Sequence, residues 1–156
     1  MLRKRITLIL SVGILCLALS CGKKAGPVPK QQPVPGGIGD LSGEIRDGVL
    51  FLAFAIPTKN MDESAVVDLA GFKIQKRCVS CGGTFEPFRE IRLDDDKGFA
   101  IVRNRIYIYD DQLSNGYKYE YKVYPFTTRG VVGDPSKIYS IQWQEPPAKP
   151  AGTIKI

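Results

Sequence analysis

Residues 113–136 read LSNGYKYEYKVYPFTTRGVVGDPS, and this stretch decides the fold. Across 117–126 the side chains alternate: Tyr117, Tyr119, Tyr121 and Val123 fall on one face, Lys118, Glu120, Lys122 and Tyr124 on the other. A period of two marks a strand with one buried face, because successive side chains of an extended chain point to opposite sides. Asn115-Gly116 before the run, and Gly130 and Gly133 after it, are turn residues that bound it.

Working outward, the same period recurs. Residues 49–56 are nearly all apolar and stop at Pro57, 71–77 set Phe72 and Ile74 against Lys73 and Gln75, and 99–109 alternate through Ala100, Val102, Ile106 and Ile108. Residues 137–144 close the set, with shorter runs at 40–46 and 85–91. Seven short strands, separated by Gly, Asn, Asp and Pro turns and with no helical period after residue 20, predict an all-β antiparallel sandwich over 40–144. The chain has 156 residues, 44% hydrophobic and 24% charged, enough for one such core and too few for a large multidomain enzyme.

The stretch at 113–136 resembles the end of a fibronectin type III domain. Leu113 stands six residues before Tyr119, the position of that family's corner tyrosine; Tyr121 and Val123 follow into the core, and Gly130, Gly133 and Ser136 hold the matching places of the last loop. Phe72 with Ile74 resembles the aromatic-x-apolar pattern of the third strand. Phe54 stands where the family usually has tryptophan, a departure. The resemblance covers 41–144 and implies a seven-stranded immunoglobulin-like sandwich whose Tyr119 ring fills core space while its hydroxyl ties down the preceding turn. The single Trp143 reads as packing.

The amino-terminal end is an address. Arg3, Lys4 and Arg5 precede an apolar run, 6–19, without a charge, which is shorter than the roughly 18 to 20 residues that span a bilayer as a helix. Its ending, Leu17-Ala18-Leu19-Ser20-Cys21, resembles the bacterial lipobox, which implies removal of 1–20, a diacylglycerol on the Cys21 sulfur and usually an acyl group on its new amino terminus. Two or three acyl chains give a stable anchor where one would exchange. Gly22 after the cysteine, by resemblance to the enteric sorting pattern, implies the outer membrane, facing the periplasm. Residues 21–39, with prolines at 27, 29, 33 and 35, read as a semi-rigid linker extended at ~3.1 Å per residue, and 145–156 as a Pro-rich tail.

Composition narrows the chemistry. There is no histidine, which removes Ser-His-Asp and Cys-His nucleophile pairs, histidine-ligated zinc and the usual haem ligation. The formal charge of +6 falls to +3 when the three basic residues of the leader leave, and the remaining charges alternate in sign, so no concentrated basic face for nucleic acid is expected.

Cys78-Val79-Ser80-Cys81 has a spacing that suits thiol exchange, metal clipping or a local disulfide. Outside the cytoplasm a Cys78–Cys81 disulfide tightening a hairpin turn is the expected state, with free thiols or a bond between chains as alternatives. No metal site is expected, because tetrahedral zinc needs four ligands. Asp94-Asp95-Asp96 and Asp110-Asp111 read as solvated turns, being spaced neither as calcium loops nor as paired catalytic carboxylates. Tyr107, Tyr109, Tyr117 and Tyr124 read first as core or sheet-face packing, with an adhesive surface as the alternative.

These readings lead to a non-enzymatic, lipid-anchored envelope protein, without a cofactor beyond the lipid of Cys21. It would be a monomer or weak oligomer presenting one sandwich to another envelope protein. Two alternatives stand beside it. The segment CGKKAGP, 21–27, resembles the Cys-Gly-x-Lys-Gly-Pro start of short lipoproteins that assist assembly of the outer-membrane lipopolysaccharide export machine, with Ala25 inserted. The other is a thiol–disulfide protein using Cys78 and Cys81.

Overall fold

The computed structural model describes residues 32–95 and 97–145, and among them there is no helix. The leader, Cys21, most of the linker and all of the tail beyond Glu145 lie outside the described residues. The described residues form eight strands: β1 (Ser42–Arg46), β2 (Val49–Ala55), β3 (Leu69–Cys78), β4 (Glu86–Arg92), β5 (Ala100–Val102), β6 (Arg105–Asp110), β7 (Lys118–Thr127) and β8 (Tyr139–Gln142). They form two four-stranded sheets, β1-β2-β6-β5 and β4-β3-β7-β8, with every pairing antiparallel. This is the antiparallel sandwich that the alternation predicts, in the immunoglobulin-like form that the resemblance implies.

Eight strands replace the expected seven because the run 99–109 is a hairpin and not one strand. Arg103 and Asn104 both adopt positive φ, 49° and 61°, and Val102 pairs with Arg105 across them. Two consecutive residues at positive φ are what a tight two-residue hairpin turn requires. Ala100 and Val102 consequently share a face with Tyr107 and Arg105, opposite to Ile106 and Ile108, and both are exposed. Asp47-Gly48, at φ 49° and 79°, makes the equivalent turn between β1 and β2.

Strand ends also move for local reasons. β1 starts at 42 because the Asp40 carboxylate, instead of a backbone carbonyl, accepts the Ala55 N–H at 2.9 Å. β8 starts at 139 because Ser136 interrupts the ladder: its Oγ accepts the Val123 N–H at 3.1 Å and donates to the Lys137 carbonyl at 2.8 Å. The folded body begins before residue 40, since Ile38 is in the core and Pro35 bridges to Asn60.

Between the sheets lie Leu50, Leu52 and Phe54 of β2, Phe72 and Ile74 of β3, Ile91, Ile106 and Ile108, and Tyr119, Tyr121 and Val123 of β7, all buried. Phe54 meets Phe72 edge to face with ring centroids 5.0 Å apart, so the phenylalanine at the tryptophan position still supplies an aromatic contact across the core. Trp143 is buried with them, just past β8. Each large apolar side chain so buried contributes about 1.5–3 kcal/mol.

Candidate functional site

β3 delivers three consecutive functional side chains, Lys76, Arg77 and Cys78, to one end of the sandwich. The inward positions of the strand run Phe72, Ile74, Lys76, and the last of these meets β7 opposite Tyr121. A lysine there needs a partner, because a buried charge without one is costly. Asp110, the next inward position of β6 after Ile106 and Ile108, supplies it: Lys76 Nζ lies 2.7 Å from Asp110 Oδ2, with the side chains 17% and 0% exposed. The Tyr121 hydroxyl donates to the same oxygen at 2.7 Å, and the Gln112 N–H donates to Oδ1 at 2.9 Å. Lys76 also donates to the Gln112 carbonyl at 3.0 Å and sits 4.8 and 5.2 Å from the ring centroids of Tyr119 and Phe88. Burial first, then the neighbouring carboxylate, pushes the Tyr121 phenol far above its ordinary value, so it stays a donor. The network is satisfied throughout and clamps β3, β6 and β7 together across the two sheets.

Asp110 is therefore not in a solvated turn, contrary to expectation, whereas Asp111, Asp94 and Asp95 are exposed. The signal was available in the strand parity of Ile106, Ile108 and Asp110. Among the described residues no three Cys, Asp or Glu side chains are grouped as metal ligands.

Cys78, the last residue of β3, forms a disulfide with Cys81, the Cα atoms 5.2 Å apart. The turn is fixed further by Gly83 N–H to the Cys78 carbonyl at 3.0 Å and by β7, where Lys118 N–H donates to Ser80 Oγ at 2.9 Å and Val79 N–H donates to the Lys118 carbonyl at 2.8 Å. Gly82, at φ 68°, takes a backbone conformation that disfavours a side chain. The loop thus leaves the sandwich rigidly and returns the chain at Phe85.

Phe85 lies on the outer face of the second sheet between two cations, with the Arg77 guanidinium 4.7 Å and Lys122 Nζ 4.2 Å from its ring centroid. Arg77 is itself held by Glu120, its Nε and Nη2 at 2.7 and 2.6 Å from Oε2. Lys73 stands 5.5 Å from the Phe126 ring, and Arg89 lies against Phe88 and Tyr109 at the margin. The surface is a set of cations spread on aromatic faces beside a stapled loop. Such a surface offers cationic and aromatic contacts to a partner group.

The Tyr119 hydroxyl accepts the Ser114 N–H at 3.0 Å, while Leu113 packs half-buried against the core. The four tyrosines considered as a group are not brought together. Tyr107 and Tyr109 are on the outer face of the first sheet, whereas Tyr117 and Tyr124 belong to the second.

No protein-family model and no curated protein matches the chain. Solved structures do. The third fibronectin III domain of human KIAA0343 protein is similar over 83% of this chain and 98% of its own, at 12% identity and a TM-score of 0.55. A fourth FNIII domain, also human, is similar over 85% and 98%, at 15% and 0.54. The twitchin kinase region from C. elegans is similar over 72% of this chain at 18% and 0.51, and there the match spans 17% of the chain. At these identities the likeness is one of fold, and the fold is a fibronectin type III-like sandwich.

Proposed function

We propose that this chain is a non-enzymatic protein of the bacterial cell envelope, anchored through lipid on Cys21, whose sandwich offers the outer face of its second sheet to another protein. The observation that carries the reading is Phe85, held between Arg77 and Lys122 beside the Cys78–Cys81 loop. Arginine and aromatic side chains are enriched at protein interfaces, and a pre-ordered loop lowers the entropy lost on binding. Fibronectin III domains generally mediate protein contacts, which agrees with such a surface.

A photo-crosslinking residue at position 85, irradiated in intact cells, is expected to trap one discrete envelope protein. Arg77→Ala with Lys122→Ala should abolish the adduct. An adduct that survives this change, or none at all, overturns the assignment of the face. Mass spectrometry of the native protein should show acylated Cys21 as the first residue; a free thiol or retained leader overturns the anchor.

One observation favours the thiol–disulfide alternative: Cys81 is exposed, and its N–H donates to Cys78 Sγ at 3.1 Å, a contact able to stabilise a thiolate after reduction. Replacing both cysteines with serine separates the readings, since it should leave the crosslink intact. The lipopolysaccharide-assembly alternative is tested by grafting 21–39 onto an unrelated domain, which should fail to restore function if the sandwich is the working part.

A further inference from the structure

The outer face of the first sheet carries a groove independent of the surface around Phe85. Its floor is Ala53 of β2, with Phe51 on the same strand and face and Tyr107 directly across on β6. Because Ala53 has only a methyl group between two aromatic neighbours, the face dips there into a hollow of about 450 Å3. That lies within the range of about 300–1,000 Å3 usual for small-ligand sites.

The rim is polar and of both signs. On β1, Glu44 stands opposite Phe51 and pairs with Arg46 at 2.7 Å, and on β6 Arg105 pairs with Asp40. The Arg46 guanidinium is held above its ordinary value mainly by Glu44, and both Arg46 and Tyr107 line the hollow.

This arrangement selects a chemistry. A phosphate or carboxylate would meet Glu44 as a like charge and find both arginines already engaged by carboxylates, and a wholly apolar ligand would strip water from charged side chains without replacing it. A peptide strand would add to a sheet edge and not lie on its face. A sugar ring suits both parts: its C–H faces stack on aromatic side chains, and its hydroxyls each donate and accept, as the arginine–carboxylate pairs require. We propose that this groove binds a neutral oligosaccharide, with one sugar ring lying across Ala53 between Phe51 and Tyr107.

The test is a titration of the isotope-labelled full chain with chitotetraose and, separately, cellotetraose, followed by amide chemical shifts. Saturable shifts are expected for at least one sugar at millimolar concentration, confined to β1, β2 and β6 around Ala53. Tyr107→Ala should weaken binding about tenfold or more, and Tyr107→Phe, which keeps the ring, should stay within about twofold. Trp143, buried in the core, reports through unchanged emission that both variants are folded. No saturable shift with either sugar, shifts elsewhere, or wild-type affinity in folded Tyr107→Ala each overturns the proposal. The crosslink at position 85 is unaffected by Tyr107→Ala, so failure of one reading does not carry the other with it.

Discussion

The two ends of β6 carry ion pairs of the same kind in opposite surroundings. At its start Arg105 pairs with Asp40, the side chains 34% and 42% exposed. At its end Asp110 pairs with Lys76, at 0% and 17%, and receives two further donors. In water an ion pair gains little, because both charges are already solvated and the attraction is screened. Between the sheets the desolvation cost is large, so the pair persists only with every oxygen satisfied, and removal of one member leaves the other stranded. Burial, not the identity of the partners, decides what such a contact is worth.

The sharpest way to break this comparison is to truncate both aspartates. Asp110→Ala should lower stability by about 3–5 kcal/mol, and Asp40→Ala by no more than about 1 kcal/mol, read as shifts in urea midpoint at constant slope. Equal losses would show that the buried clamp is no stronger than the surface pair. Next in size, Cys78→Ser with Cys81→Ser should cost only ~2 kcal/mol, because the closed loop is so short; urea unfolding of the oxidised and variant proteins checks it.

Tyr121→Phe should cost about 1 kcal/mol at neutral pH and also alter the alkaline limb. The folded phenol is raised above the ordinary 10.0, so its contribution is fully present below that pH and is lost as pH rises beyond it, where the unfolded tyrosine ionises first. The variant's stability should fall less steeply above pH 10, measured by circular dichroism.

Asp40 gives the smallest effect and the opposite sign. Partial burial raises its carboxyl, but the Ala55 N–H and Arg105 outweigh that and hold it below 3.8. Its contribution is present above that pH and fades as pH falls through the lower folded value. Asp40→Asn should therefore flatten the acid limb slightly in the same measurement.

Much of the sandwich was legible because its strands face water on one side only. Tyr119, Tyr121 and Val123 alternate with lysines and a glutamate, and the burial follows that alternation except at Glu120, which is buried in its pair with Arg77. The hairpin at Arg103-Asn104 was hidden by arithmetic: a turn of two residues leaves the even spacing of Ala100, Val102, Ile106 and Ile108 intact while reversing which side faces the core. Neither turn residue is glycine, so Asn104 was the one local sign of it. Asp110 was concealed differently, since beside Asp111 it resembles a turn, and its partners Lys76 and Tyr121 come from other strands.

By itself the sequence determined the strand-rich class, the inward positions of the long strands and the adjacency of Cys78 and Cys81, because alternation and short spacing are local properties of the chain. Tertiary structure alone decided that Lys76, Asp110 and Tyr121 meet, that Phe85 lies between Arg77 and Lys122, and that Ala53 forms a hollow between Phe51 and Tyr107. Those contacts join residues far apart along the chain, and only the stacking and register of two sheets bring them within a few ångströms.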